Sequence, residues 1–166
     1  MLAHIEPLSE LDVIVPFLAD CGLPVSDISQ AQAPQFFGIR SGSVLVAVVG
    51  LELFGSVGLL RSLAVSPAYR GRGLAQQLVA FIEQLAASRG VDTLFLLTTT
   101  AATFFGKLGF EPVSRSAAPP AICATPQFSG LCPASSAFLG KSVAGLPDHS
   151  TGPAPKVAQT GEFNRL

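Results

Sequence analysis

The sequence has few charged side chains. Asp, Glu, Lys and Arg together make up 13% of the 166 residues, whereas hydrophobic residues make up 49%. The formal net charge is −1, so the excess of positive charge that a nucleic-acid-binding protein needs is missing, and we predict no nucleic-acid partner. Such an apolar composition is typical of a membrane protein, of a soluble domain with large apolar elements, or of a subunit with a buried interface.

A long, uninterrupted hydrophobic run is also lacking. A membrane-spanning helix needs about 18 consecutive apolar residues, and "SVLVAVVGL" is too short. The uncharged residues 116–140 are long enough, but they contain Pro119, Pro120, Pro126 and Pro133. Because these prolines would leave backbone groups unpaired in lipid, we predict a soluble domain with no membrane segment. Its apolar surface is compatible with a homodimer.

The N-terminus lacks the features of a secretion signal. "MLAHIEPLSELDVIV" carries acids where a signal peptide has a basic start and a long apolar stretch, which predicts a cytoplasmic protein. Cys21, Cys123 and Cys132 are odd in number and lack metal-ligand spacing. They fit reduced thiols, and we predict no metal site.

Hydrophobic periodicity predicts a mixed α/β fold. "LAHI" is a short strand candidate, "PLSELDVIVPFLADCGLP" has helical spacing, and "VSDISQAQ" predicts a second, shorter helix. "QFFGIR", "SVLVAVVGLELFG" and "VGLLRSLAV" then predict an antiparallel meander of strands. A clear helix begins near Leu74 and ends at Gly90, followed by the strand "DTLFLLT", the helix "TAATFFGKLGF" and a last strand, "ASSAFLGKSV".

The composition changes near residue 144. From there the chain is rich in Gly, Pro, Ser and Thr and has little periodic apolar content. We therefore predict one domain over residues 1–143 and a disordered tail over residues 144–166.

The stretch "YRGRGLA", residues 69–75, separates an apolar strand from a helix. A helix N-terminus has unpaired backbone N–H groups and a partial positive charge, which together form an anion site. Glycines let the backbone approach a ligand closely, and Arg70 and Arg72 add guanidinium groups suited to phosphate. The pattern predicts a pyrophosphate site, although an ordinary loop with solvated arginines has the same local composition.

The order of the motifs narrows this prediction. The glycine-rich turn, the next strand and "AATFFGKLGF" closely resemble the GNAT superfamily of acyl-CoA-dependent N-acetyltransferases. For the family motif Q/R-x-x-G-x-G/A, the matching residues are Arg70, Gly73 and Ala75. For the later motif A-x-x-F-Y-x-x-x-G-F, the matching residues are Ala101, Phe104, Gly109 and Phe110. The resemblance covers residues 2–142. It implies an α/β fold with a central, mostly antiparallel sheet, flanked by helices and splayed at the acyl-CoA site.

The resemblance implies acetyl-CoA as co-substrate and a small-molecule amine as acceptor. It places the pantetheine arm on the strand that ends in "SLAV", where a free backbone N–H polarises the thioester carbonyl. The residues that it assigns to acetyl-CoA binding are Leu63, Ala64, Val65, Arg70, Gly71, Arg72, Gly73, Leu74, Ala75 and Phe105. The amine would attack directly, with most of the rate coming from positioning.

A catalytic base is wanted because the attacking amine must be neutral, whereas such amines are mostly protonated at pH 7. Glu52 is the only carboxylate in the two strands that lead to the cofactor site. Strand alternation places it on the face opposite Leu51 and Leu53. We predict Glu52 as the base, with a solvent-facing strand glutamate as the alternative.

Arg61 lies between Leu60 and Ser62 in an otherwise apolar strand, where a guanidinium needs a partner. It would suit a substrate carboxylate held by two hydrogen bonds, and hence an amino-acid-like acceptor. An internal ion pair, with Glu52 as one partner, explains the same residue, and the sequence leaves both alternatives open.

Phe105 departs from the family pattern. Many GNAT enzymes have a tyrosine here that protonates the leaving thiolate, and phenylalanine cannot donate that proton. The remaining donors are water and the hydroxyl groups of Ser62, Thr98, Thr99 or Thr100, or the thiolate leaves unassisted. The loss makes an acyl-CoA-binding sensor without catalysis a second hypothesis.

Residues 115–142 resemble the end of a GNAT subfamily found with arsenic-resistance genes, and similar ends occur in amino-acid N-acetyltransferases of the superfamily. The resemblance implies an amino acid, or an arsenic-containing amino-acid analogue, as acceptor. A third hypothesis is a thiol-based metalloid binder that uses Cys21, Cys123 and Cys132, although free cysteines are usually small buried hydrophobes.

Overall fold

The computed structural model describes residues 2–31, 33–131 and 135–146. Over these residues, seven strands form one sheet in the order β1-β2-β3-β4-β5-β7-β6. The strands are β1 (Glu6–Leu8), β2 (Gln35–Ser41), β3 (Val44–Phe54), β4 (Val57–Val65), β5 (Thr93–Thr98), β6 (Glu111–Pro112) and β7 (Ala137–Ser142). The helices are α1 (Leu11–Asp20), α2 (Leu74–Ser88), α3 (Ala102–Lys107) and α4 (Pro120–Cys123). Neighbouring strands are antiparallel except β4 and β5, which are parallel, so the predicted fold class is confirmed.

Strand β3 lies at the centre of the core because its residues are apolar on both faces. Residues 45–51 are all buried. On one face of the sheet α2 contributes Leu78 and Ile82 to the larger core cluster. A second cluster includes Ile14 and Leu18 of α1. The helices therefore flank the sheet, and α2 is held firmly beside β3 and β4, where it can fix the position of the glycine-rich turn.

Two local predictions are wrong. The described residues of "VSDISQAQ" form turns, because Ser and Asp favour turns and because Asp27 is held by an ion pair to β4. The first strand begins at Glu6 and does not include "LAHI".

Residues 147–166, which make up most of the predicted tail, lie outside the described residues. Among the described residues, no helix has the length and apolar character needed to cross a membrane.

Lys141 connects three elements behind the sheet. Its Nζ donates to Glu83 Oε2 of α2 at 2.9 Å and to the carbonyl oxygen of Leu108, just after α3, at 2.7 Å. Glu83 is buried, with 9% of its surface exposed. The ion pair therefore ties β7 to the helices that form one wall of the site.

Replacing Lys141 with methionine is expected to lower the free energy of unfolding by about 2 kcal/mol, because Glu83 keeps a buried charge without its cation. Urea unfolding measures the change. The matched control is Lys107→Met on the exposed surface of α3, expected to change stability by less than about 0.5 kcal/mol. Adding Glu83→Gln to Lys141→Met should recover part of the loss, and equal losses for both lysine variants would contradict the prediction.

Candidate active site

A cleft opens where β4 and β5 stop pairing. Their parallel ladder joins Val57 to Thr93 and ends with Leu59 opposite Phe95. Beyond that point residues 60–65 of β4 and 96–98 of β5 diverge and line a cleft of about 780 Å³. We call it the β4–β5 cleft. It is the splayed site that the sequence resemblance implied.

A bulge in β4 shapes one wall of this cleft. Val48 pairs with Ala64 and Gly50 pairs with Arg61, so two residues of β4, Ser62 and Leu63, stand opposite a single residue of β3. A bulge of this kind bends the strand and redirects its side chains. Ser62 has φ of +57°, a conformation that costs a non-glycine residue about 1–2 kcal/mol.

Backbone N–H groups of β4 face the cleft beyond the bulge. The N–H of Ser66 donates to the carbonyl oxygen of Val46 in β3 at 2.8 Å. Since alternate residues of an antiparallel strand bond to the same neighbour, the N–H of Val65 points away from β3 and into the cleft. Such a group is placed to donate to a carbonyl oxygen of a bound ligand.

The glycine-rich turn closes one end of the cleft. Gly71 and Gly73 both have φ of +80°, and no atom lies within 4 Å of where a Cβ would stand. Within the described part of the chain, the backbone N–H groups of Gly71, Arg72 and Gly73 have no backbone acceptor. Gly73 is also the N-cap of α2, and no side chain caps that helix. These open N–H groups at a helix N-terminus form an anion site, which fits a diphosphate.

The two arginines of the turn differ. Arg70 lines the cleft, and its Nε donates to the carbonyl oxygen of Val65 at 2.9 Å. Arg72 does not line it, because its guanidinium lies 4.6 Å above the centre of the Tyr69 ring and its Nη2 donates to the carbonyl oxygen of Ala68 at 3.2 Å. The phosphate contact of Arg72 stays a prediction. The other residues assigned to acetyl-CoA all line the cleft: Leu63, Ala64, Val65, Arg70, Gly71, Gly73, Leu74, Ala75 and Phe105.

Arg61 forms a buried ion cluster with two carboxylates. Its Nη1 and Nη2 donate to Oδ2 and Oδ1 of Asp27 at 2.5 and 3.0 Å, and Nη1 also donates to Glu52 Oε2 at 2.9 Å. The Arg61 side chain is 1% exposed, that of Asp27 8% and that of Glu52 19%. Of the two alternatives for Arg61, the internal ion pair is the one formed here. The two-pronged face that would hold a substrate carboxylate is occupied by Asp27.

Burial by itself lowers the pKa of Arg61, but the hydrogen bonds and charges of Asp27 and Glu52 outweigh it and raise that pKa above its ordinary value. A raised pKa in the folded state stabilises the fold at every pH below the ordinary pKa of arginine. Arg61 therefore stays charged over the whole working range of a protein.

Glu52 does not line the β4–β5 cleft. It lines a second cavity of about 430 Å³, together with Asp27, Gln35, Phe54 and Thr125. Arg61 separates the two spaces, since it lines the cleft and binds the carboxylates that face the second cavity. A proton could pass between Glu52 and the cleft only through an intervening group or water.

Phe105 packs into an aromatic cluster at the cleft. It is 5% exposed, and its ring stands edge-on to Phe104 at 5.1 Å and to Phe110 at 5.6 Å. Thr98, at the end of β5, lines the same cleft, and its Oγ1 accepts the N–H of Ala101 at 2.9 Å. The hydroxyl-bearing candidates for protonating a thiolate thus lie on both walls.

The sequence analysis missed Asp27 as the partner of Arg61. The available signal was Arg61 itself, since a guanidinium in an apolar strand requires acidic partners. Residues 21–24 and Gln127 also line the cleft, and they fall within residues 20–35 and 114–135, where the family resemblance implies the acceptor pocket.

Among described residues, no group of three His, Cys, Asp or Glu side chains could hold a metal. Cys21 is half-buried and Cys123 exposed, while Cys132 lies outside the described residues, so the three-thiol hypothesis stays untested.

Residues 6–110 match the model of the acetyltransferase (GNAT) family. The chain belongs to this family. The amino-acid acetyltransferase of Ectopseudomonas mendocina is 33% identical over 124 residues, which cover 72% of this chain and 29% of that protein. The amino-acid acetyltransferase of Pseudomonas fluorescens is 34% identical over 116 residues, 67% of this chain and 27% of that protein. The chain thus spans less than a third of the length of these curated relatives.

Solved structures share the GNAT fold. N-acetylglutamate synthase from Neisseria gonorrhoeae, complexed with coenzyme A and N-acetyl-glutamate, superposes with a TM-score of 0.70 at 22% identity, over 86% of this chain and 35% of that chain. The ribosomal-protein-S18-alanine N-acetyltransferase from Escherichia coli has a TM-score of 0.62 at 16% identity, over 89% of this chain and 98% of that one. The family predicted from the motifs is confirmed.

Proposed function

We propose that this GNAT chain is an acetyl-CoA-dependent N-acetyltransferase that acetylates the amino group of a small molecule. The acceptor that we favour is an amino acid. One observation carries the proposal. The open N–H groups of the glycine-rich turn stand at the end of a cleft whose other wall presents the N–H of Val65. The first set suits the diphosphate of acetyl-CoA, and the second suits a carbonyl oxygen of its pantetheine arm or of its thioester.

The choice of an amino acid is supported by the names of the curated relatives, amino-acid acetyltransferases. Binding of a substrate carboxylate by Arg61 stays a prediction, and the contacts with Asp27 and Glu52 favour an internal role. An arsenic-containing amino-acid analogue is a narrower proposal, which rests on the resemblance of residues 115–142. A homodimer and a cytoplasmic location also stay predictions.

Glu52 remains our proposed base, acting at a distance. Its Oε2 is bound to Arg61, and among the described residues its Oε1 has no hydrogen-bond donor. Because Glu52 faces the second cavity, we propose that it takes the proton of the acceptor ammonium through water. The neutral amine, positioned beside the thioester in the cleft, would then attack the thioester carbonyl carbon.

The proposal is tested by incubating the full chain with acetyl-CoA and single amines, following free CoA thiol and identifying products by mass. The amines are common amino acids, an arsinic amino-acid analogue, polyamines and a lysine peptide. We expect an N-acetyl amino acid, and Glu52→Gln should lower kcat by about 10²-fold or more if Glu52 is the base. Transfer to polyamines or the peptide alone would contradict the amino-acid acceptor.

A non-catalytic acyl-CoA sensor is the second candidate, favoured by Phe105 in place of tyrosine. It predicts that acetyl-CoA binds, as measured by calorimetry, while no amine is acetylated. Failure of acetyl-CoA to bind would contradict both candidates.

A further inference from the structure

Ser62 combines an unusual backbone conformation with a position in the wall of the β4–β5 cleft. It is the one non-glycine residue with positive φ in the described part of the chain, and it lines the β4–β5 cleft. Unfavourable backbone conformations persist where the surrounding structure enforces them, and they cluster at functional sites. Here the bulge of β4 enforces it.

The hydroxyl group of Ser62 is bound by a cation. Arg61 Nε donates to Ser62 Oγ at 3.0 Å, and Asp27 and Glu52 fix the same guanidinium from its other side. The Oγ therefore acts as acceptor toward Arg61, and among the described residues its own proton has no acceptor. A guanidinium beside Oγ stabilises negative charge on that oxygen, so the hydroxyl becomes a better proton donor than an ordinary serine.

Ser62 directly precedes the segment of β4 to which we assign the pantetheine arm, residues 63–65. Ser62 lines the cleft on the β4 side, and Thr98, at the end of β5, lines it on the other. A pantetheine arm that runs from the glycine-rich turn along residues 65 to 63 would bring its thioester end toward Ser62 and Thr98. Thr98 Oγ1 accepts only the neutral N–H of Ala101, so it lacks the cation that favours proton release from Ser62.

We propose that Ser62 is a catalytic proton shuttle for the leaving sulfur, in place of the tyrosine that Phe105 replaces. The inference rests on the proposed acetyl transfer. The amine nitrogen forms a bond to the carbonyl carbon and becomes positively charged, while the carbonyl oxygen becomes negative. As the C–S bond breaks, sulfur leaves with the electron pair and receives the Ser62 proton. Ser62 Oγ takes a proton from the nitrogen, so the hydroxyl is restored and the products are the amide and the CoA thiol.

The first test compares Ser62→Ala with the unaltered chain, using acetyl-CoA and the best acceptor amine. We expect kcat to fall about 10²-fold, the usual range of a lost acid–base group, with KM for acetyl-CoA changed less than about threefold.

Three further variants serve as controls. Ser62→Gly removes the same hydroxyl and relieves the positive φ, so its kcat should fall as much without loss of stability. Ser62→Cys keeps a transferable proton and should recover part of the rate. Ser114→Ala, on an exposed hydroxyl paired with Ser116, should leave activity unchanged.

Two further measurements separate a proton shuttle from a structural role. A solvent deuterium isotope effect on kcat should be present in the unaltered chain and change in Ser62→Ala. Adding Phe105→Tyr to Ser62→Ala should raise kcat several-fold above that of Ser62→Ala alone, because a tyrosine hydroxyl then faces the cleft from the other wall.

Equal kcat in Ser62→Ala and the unaltered chain would overturn the inference while leaving the proposed function intact. So would a large loss in Thr98→Val with none in Ser62→Ala, which would assign the proton transfer to the other wall. An unaltered chain that acetylates no amine would overturn the proposed function, and the inference with it.

Discussion

Replacing Gly73 with glutamate is expected to weaken acetyl-CoA binding by about 100-fold or more and to abolish acetyl transfer. Gly73 has φ of +80° and is the N-cap of α2. A side chain there strains the turn and places a carboxylate among the N–H groups that we assign to the diphosphate. Losing two hydrogen bonds to a charged group, each worth about 1.5–3 kcal/mol, accounts for this factor.

Calorimetric titration with acetyl-CoA measures the loss, with Gly55→Glu as the matched control. Gly55 also has positive φ, +65°, and open space at its Cβ position, but it lies in the turn between β3 and β4 and does not line the cleft. The control therefore carries the same added charge and a comparable backbone strain. Equal affinities in the two variants would show that the diphosphate binds elsewhere.

Replacing Arg61 with methionine is expected to destabilise the fold by about 3–5 kcal/mol, because it leaves Asp27 and Glu52 charged in a buried site without their cation. A domain of this size is stable by only about 5–15 kcal/mol, so the loss is a large share of the total. Urea unfolding at pH 7 measures it.

The matched control is Arg40→Met. Arg40 also binds two carboxylates, Glu6 at 2.6 Å and Glu10 at 3.3 Å, but its side chain is 26% exposed. We expect a loss of about 0–1 kcal/mol there, as for surface ion pairs. The triple variant Arg61→Met, Asp27→Asn and Glu52→Gln should recover stability, because no buried charge is then left unpaired. A small loss in Arg61→Met, equal to that of Arg40→Met, would mean that solvent reaches the cluster.

The glycine-rich turn could be predicted in detail because its information is local. Residues 69–75 contain the glycines that positive φ requires, and the helix that follows supplies the open N–H groups. The boundaries of β3 and β4 follow from hydrophobic runs for the same reason. The helix predicted over "VSDISQAQ" failed because a long-range contact, from Asp27 to Arg61, decides the conformation of that segment.

Arg72 and Glu52 show that the sequence does not determine the direction of long side chains. The turn motif predicted that Arg72 binds phosphate, and strand position predicted that Glu52 is the base. In this structure Arg72 stacks on Tyr69, and Glu52 faces the second cavity. Neither outcome follows from spacing, because a long side chain can take several directions from one backbone position, and packing selects among them.

The sequence by itself determined the GNAT family, most of the strands and helices, the glycine-rich turn and the presence of phenylalanine at position 105. These depend on residue type and on spacing along the chain. Only the tertiary structure decided that Arg61 is shared by Asp27 and Glu52, and that its Nε binds Ser62 at a bulge in β4. Such contacts join residues distant in sequence, and their partners are selected by the three-dimensional burial of charge, which must be compensated wherever the fold places it.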